Sequence, residues 1–237
     1  MVLMSEKKSG KRPDGRAYND MRPVKMQVGV LKHANGSAYV EFGKTHVYAS
    51  VHGPKKVHPR HMEDGEKAIL RCRYNMIPFS VNDRKRPGYD RRSVEIAKVI
   101  SEALQPMVFL EEFPKSAIDI DLEITQADAG TRVAALTAAS LALADAGIPM
   151  RDLVAAVAAG RANGEILLDL TKEEEDAKDA VDMPVAMTHR DNKVMLLQMD
   201  GDMSREDLNQ MLIVAKEGCA ELAKMQKAAL REKYKVE

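Results

Sequence analysis

The segment SAIDIDLEITQADAGTRVAALTAAS, residues 116 to 140, constrains the fold more than any other stretch. Ile118, Ile120, Leu122 and Ile124 alternate with Asp119, Asp121, Glu123 and Thr125. Period-two alternation places the apolar side chains on one face of a strand and the polar ones on the other. The strand runs into Asp128-Ala129-Gly130-Thr131-Arg132, and a smooth helix of small residues follows, from Thr131 to Ala146 with Gly147 as its C-terminal stop. A glycine, a hydroxyl and an arginine therefore stand at a helix mouth where a plain cap would do.

The rest of the chain supplies more strands and two more helices. MQVGVLKHANGSAYVEFGKTHVYASVHG reads as a strand meander with turn signals at Asn35-Gly36 and Gly43-Lys44. Within it Val47, Ala49 and Val51 share one face, and His46, Tyr48 and Ser50 the other. After the charged loop GPKKVHPRHMEDGEK, Leu70, Cys72, Tyr74 and Met76 alternate with Arg71, Arg73 and Asn75. Those arginines read either as a functional surface or as the wet face of a sheet. The basic loop NDRKRPGYDRRS feeds a helix over Ser93 to Gln105, stopped by Pro106. In DLVAAVAAGRANGEILLDL the alanines favour helix, but the Ala162-Asn163-Gly164 turn and the β-type EILLDL favour a hairpin, and a hairpin is expected. An acidic segment leads to strands at Pro184 to Thr188 and at KVMLLQM, and a last helix starts at Ser204. Strands, helix, strand, helix, strands, helix is an α+β order with mixed sheets rather than a regular βαβ series. No composition break divides the chain, so residues 12–237 are expected to form a single domain behind a flexible polar tail over residues 1–11.

Composition narrows the function. Lys+Arg and Asp+Glu are both 36, so the chain is not a globally basic nucleic-acid binder, although local basic patches remain open. Two distant cysteines, Cys72 and Cys219, suit free thiols in a reducing compartment. No segment approaches the roughly 20 apolar residues of a membrane span, and a cytoplasmic, soluble protein with no membrane partner is expected. Walker A, dinucleotide and zinc spacings are absent from the sequence.

Four constellations carry chemistry. At the helix mouth, Gly130 lets an anion approach the backbone, Thr131 offers a hydroxyl and Arg132 a guanidinium fork. The competing reading is a Thr N-cap behind a flexible glycine. Arg91-Arg92 stand at the start of the preceding helix, about 100° apart around its axis, and could serve two neighbouring anions or be solvated. Asp176 and Asp182 flank a short loop, where a carboxylate near bound phosphates can act as general acid or help hold a divalent metal. Spacing alone leaves the choice among the acidic residues open. In KKVHPRH, Lys55, Lys56, Arg60 and His61 could meet a sugar-phosphate backbone, or lie in a plain exposed loop.

The order of RPDGR (Arg12–Arg16), RCRYNMIPFS, RRSVEIAKVISEAL, QADAGTR and LADAGIPMRDL resembles the ribonuclease PH family across nearly the whole chain. RYNMIPFS and LADAGIPMRDL resemble most the catalytic branch that serves the archaeal exosome. The resemblance implies the ribonuclease PH fold, a duplicated β/α unit related to a domain of ribosomal protein S5. It implies a phosphorolytic 3′→5′ exoribonuclease, in which inorganic phosphate is co-substrate and a nucleoside 5′-diphosphate leaves. The reverse reaction extends the 3′ end.

Carried over by position, the resemblance seats phosphate on Arg92, Gly130, Thr131 and Arg132. It sets RNA against Arg91 and, at a narrow channel neck, against Arg60 and His61. Asp176 becomes the general acid and Asp182 a second active-site carboxylate. Related enzymes complete a metal site on such aspartates with a lysine two residues after the second; Pro184 stands there, so only a loosely held Mg²⁺ on Asp176 and Asp182 is implied. The implied partners are RNA 3′ ends, a paralogous inactive ribonuclease-PH-like subunit in a trimer of heterodimers, and RNA-binding cap proteins. Two alternatives stand beside this reading: a bacterial-type homohexamer that trims tRNA, and a non-catalytic RNA-binding ring subunit. Retention of both arginines, the anion loop and both aspartates argues for the enzyme.

Overall fold

A computed structural model describes residues 12–88 and 90–234; the tail expected over residues 1–11 lies outside the described residues. Val24–Val28 (β1), Gly36–Phe42 (β2) and Thr45–Lys56 (β3) form the expected antiparallel meander. Ile69–Met76 (β4), the helix Arg91–Leu104 (α1), Ser116–Gln126 (β5) and the helix Thr131–Asp145 (α2) follow. The five strands make one sheet in the order β1-β2-β3-β5-β4, in which only β4 and β5 run parallel. Val154–Ala162 (β6), Glu165–Leu168 (β7), Val181–Thr188 (β8) and Val194–Leu197 (β9) make a second, antiparallel sheet in the order β7-β6-β8-β9. A single turn of helix, Lys172–Glu175 (α3), precedes β8, and Arg205–Lys233 (α4) closes the chain.

The small side chains of α2 have a packing reason. Of its 15 residues, 13 are buried, because the helix lies against β2 and β3 on one side and β6 on the other. A helix covered on both sides has to be slim and apolar all round. The alternating residues behave as their period demands. Ile118, Ile120, Leu122 and Ile124 are fully or almost fully buried, as are Val47, Ala49 and Val51. The opposite face of β4 and β5 is a ladder in register: Arg71 bonds Asp119 at 2.7 Å, Arg73 bonds Asp121 at 2.5 Å, and Asn75 bonds Glu123 at 2.7 Å. The Arg71 and Arg73 side chains thus belong to the wet face of the sheet.

Several boundaries differ from the expectation. Gly36 is the first residue of β2 rather than part of a tight turn, and residues 29–35 make a longer connection. A Cβ at Gly36 would overlap the backbone of Ala142 and Ala146, so glycine is required by the close approach of the α2 terminus. Helix α1 begins at Arg91, two residues early, because the Asp90 carboxylate accepts from Ser93 N at 2.7 Å and caps it. Strand β8 begins at Val181, so Asp182 lies in the strand and Pro184 inside it. Asp182 exchanges both backbone bonds with Asp200, and Pro184 O accepts from Gln198 N at 3.1 Å. Pro184 therefore faces the irregular β9 side, and its missing N–H leaves the β6 ladder intact. The expected hairpin is present, with its turn narrowed to Asn163-Gly164 at φ of 53° and 76° because Ala162 still pairs with Glu165.

Candidate active site

The start of α1, the start of α2, the first residues of β8 and the segment 198–201 surround a cavity of about 540 Å³. Arg92, Gly130, Thr131, Arg132 and Asp182 all line it. Four distant stretches of sequence thus meet at one place.

The anion loop differs from a plain cap. Gly130, not Thr131, is the N-cap of α2; it is left-handed at φ 63° and provides no side-chain bond. Helices α1 and α4 are each capped by a side chain, Asp90 and Ser204. The first N–H groups of α2 therefore keep their partial positive charge open to the cavity. Thr131 is the first helical residue and is buried, and its Oγ1 accepts from the Tyr74 hydroxyl at 2.9 Å. The N-cap reading of Thr131 is corrected on this geometry, and its own proton remains to be donated.

Arg132 is held from two sides. Its Nη2 meets Glu95 Oε2 at 3.2 Å and its Nη1 bonds Gln198 Oε1, while Gln198 Nε2 donates to Glu95 Oε1 at 3.0 Å. Its buried Nε has no protein partner. A planar fork fixed in this way presents a directional cation to an anion.

The acidic wall faces this cradle. Asp182 is largely buried, and burial raises its pKa against the opposing pull of Arg132, with Asp200 adding to the rise. Its Oδ1 is sealed from solvent without a hydrogen-bond partner. Glu175 also lines the cavity, and its pKa is pushed up to about 7 by burial and then by the charge of Asp182. Asp176 lies outside the lining: it caps the end of α3 and pairs with Lys172 Nζ at 2.6 Å, with its side chain 63% exposed. Arg91 is exposed at the first position of α1, beside the cavity lining rather than in it. Arg60 and His61 sit exposed on a short 3₁₀ turn, Arg60–Met62, away from the lining residues. Among the described residues no group of three or more His, Cys, Asp or Glu is placed to hold a metal ion. Asp182 lines the cavity with Oδ1 lacking a partner, whereas Asp176 stands outside the lining and is turned to Lys172.

Sequence reasoning missed Tyr74, Glu95, Glu175 and Gln198. Glu95 had a signal, since it follows Arg92 by three residues and shares its helix face. Tyr74 fell among the apolar positions of β4, and nothing in the sequence set its hydroxyl apart.

Domain 1 of the 3′ exoribonuclease family (RNase PH) matches residues 20–149, and domain 2 matches residues 152–218. The exosome complex component Rrp41 of Thermococcus onnurineus is 58% identical over 226 residues, covering 95% of this chain and 90% of that protein. The Rrp41 of Methanopyrus kandleri is 53% identical over 232 residues, covering 98% and 96%. Rice Rrp46 superposes with a TM-score of 0.83 at 25% identity, covering 93% of this chain and all (100%) of that one. A chain of the Archaeoglobus fulgidus exosome with RNA bound to the active site gives a TM-score of 0.76 at 22% identity, over 95% and 93%, a likeness of fold.

Proposed function

The chain belongs to the ribonuclease PH family of 3′ exoribonucleases, and from that membership we propose that it is the catalytic subunit of an exosome ring that shortens RNA from the 3′ end by phosphorolysis. The observation that carries this reading is the meeting, in one cavity, of an uncapped helix mouth, two arginines and a buried, partner-poor aspartate. Phosphorolysis brings one anion against another and needs positive charge on both before any bond changes.

Inorganic phosphate sits on the Gly130 and Thr131 backbone, the Thr131 hydroxyl, Arg92 and Arg132. Arg91 holds the RNA backbone at the cavity edge, and Arg60 and His61 touch the strand further out. A phosphate oxygen attacks the phosphorus of the terminal phosphodiester, and the bond to the 3′-oxygen breaks. The 3′-oxygen takes a proton and stays on the shortened RNA, and the nucleoside 5′-diphosphate leaves. Asp176 supplies that proton after turning inward from Lys172. Asp182 holds its carboxyl at the cavity floor, where burial favours the protonated form. Positioning and electrostatics carry the rest of the rate.

The identities to Rrp41 support a ring with a paralogous partner and cap proteins over a homohexamer that trims tRNA. Among the described residues no helix is long and apolar enough to cross a membrane, and the proposed place of work is the cytoplasm.

The test is product identity. Poly(A) and phosphate should give ADP in the assembled ring, and AMP formed without phosphate would overturn the reading. Asp176→Asn should abolish turnover and leave RNA binding intact. If turnover survives in Asp176→Asn and is lost in Asp182→Asn, the proton comes from Asp182.

A further inference from the structure

Behind the anion loop lies a buried polar layer that does not line the cavity. The loop places two consecutive residues in the left-handed region, Ala129 at φ 59° and Gly130 at φ 63°. Alanine rarely rests there unless its surroundings hold it. Three side chains do so. Thr45 is fully buried; its Oγ1 lies 3.0 Å from Asp128 O and 2.8 Å from Ala129 O, and accepts from Asp128 N at 2.9 Å. Arg22, 6% exposed, donates from Nη1 to the same Asp128 carbonyl. Its Nε and Nη2 fork onto Asp169 at 2.8 and 2.6 Å, and its backbone N donates to Asp169 Oδ2 at 2.8 Å. Asp169, 3% exposed, has no role in the proposed reaction.

The consequence follows from peptide geometry. A trans peptide is planar, with C=O and N–H pointing in opposite directions. Holding the Asp128 and Ala129 carbonyls on the buried side turns the Ala129 and Gly130 N–H groups the other way. Gly130 lines the cavity, so the side to which its N–H turns is the side on which the anion would lie. The Arg22–Asp169 pair adds little net charge to the site, since the two ions neutralise each other. What it contributes is the direction of two backbone donors.

We propose that Thr45, Arg22 and Asp169 are positioning residues for phosphate: they fix the carbonyls of the anion loop so that its N–H groups converge on the incoming anion. The inference rests on reading that loop as the phosphate seat. A wholly structural layer would change stability alone, whereas a positioning layer changes the affinity for phosphate.

The experiment compares Thr45→Val, Thr45→Ser and Arg22→Lys in the full chain. Three quantities are measured: the phosphate KM and kcat for ADP release from poly(A) in the assembled ring, RNA affinity without phosphate, and the rise in melting temperature of the chain caused by inorganic phosphate. Thr45→Val keeps the shape and loses the hydroxyl. It should raise the phosphate KM by about tenfold or more, in line with the cost of misplacing a binding group. The kcat at saturating phosphate and the RNA affinity should stay near wild type. Thr45→Ser should restore the wild-type KM. Arg22→Lys keeps the charge, loses the fork, and should shift the KM in the same direction as Thr45→Val. A Thr45→Val protein that melts earlier but keeps the wild-type phosphate KM overturns the proposal. If wild type releases no ADP, the proposed reaction fails, and the melting measurement alone decides the positioning role. Phosphate stabilisation present in wild type and lost in Thr45→Val then supports the role. Equal stabilisation in both, or none in wild type, removes it.

Discussion

Tyr74 and Thr131 show how a single hydroxyl can direct another. The Tyr74 hydroxyl donates to Thr131 Oγ1, and both residues are buried, so the Thr131 proton is left for a partner on the cavity side. Tyr74→Phe should cost about 0.5–1.5 kcal/mol of stability, the net worth of one hydrogen bond. It should also raise the phosphate KM several-fold with little change in kcat, measured by ADP release; an unchanged KM would reduce the contact to packing. The acidic wall gives a second prediction. Burial raises the pKa of both Glu175 and Asp182. The folded chain therefore keeps protons that the unfolded chain has already lost. For Glu175, stability is greatest below the ordinary value of 4.5 and falls as pH rises to about 7. The melting temperature of Glu175→Gln without phosphate should accordingly fall less than that of wild type between about pH 5 and pH 8. An identical fall in both proteins would place the proton elsewhere. Gly130, Thr131 and Arg132 were legible in the sequence because they are adjacent and of a kind that binds anions. Gln198 was not, because it reaches Arg132 across 66 positions, and a lone glutamine carries no signature.

At the scale of elements, α3 is too short to hold itself, yet it carries Glu175 and leads to Asp176. A single turn of helix has little intrinsic stability, so its position comes from outside. Arg12 supplies the anchor. Its guanidinium forks onto the buried Glu174 carboxylate and also donates to the carbonyls of Leu168 and Asp169, at 2.6 and 2.9 Å. Burial works to raise the Glu174 pKa, but Arg12 and the Thr171 hydrogen bonds together outweigh it and hold the carboxyl below its usual value. Arg12→Ala would strand that carboxylate, at a cost of about 3–5 kcal/mol for a broken buried pair. Urea unfolding should show the loss, and backbone amides of α3 should exchange faster than those of β6. Unchanged exchange in α3 would mean that the turn is held by something other than Arg12. Strands β4 and β5 and the β6–β7 hairpin were readable because a period of two and a turn dipeptide are local signals. The start of α1 was misplaced because Asp90 capped it two residues earlier, and the start of β8 because Pro184 argues against a strand when its neighbours are unknown. RPDGR was visible as a motif, but its partner Glu174 lies 162 positions away.

For the whole molecule, the decisive fact is that the site is built by both sheets at once. The anion loop leaves β5 of the first sheet, Asp182 lies on β8 of the second, and the Gln198 that holds Arg132 follows β9. Helix α2 is the joint, since one of its sides serves β2 and β3 and the other serves β6. Its buried apolar residues belong to a hydrophobic cluster that takes in both sheets and α4. The Arg22–Asp169 and Arg12–Glu174 pairs cross the same joint from the N-terminal side. A helix whose two faces are shared cannot unfold with one sheet and remain with the other, because the abandoned face would expose a row of Ala, Val and Leu to water. The chain is therefore expected to melt in one cooperative step, with calorimetric and van't Hoff enthalpies in agreement. A fragment of residues 1–150 keeps α2 but lacks β6, β8 and α4 to cover it. That fragment should retain helical signal, bind a hydrophobic dye and show no sharp thermal transition, as a collapsed chain without fixed packing does. Mixed with residues 151–237, it should lose dye binding if the two halves re-form the shared core. A fragment of residues 1–150 that melts sharply by itself would show instead that α2 needs only the first sheet, and that the second sheet is added to a structure already complete.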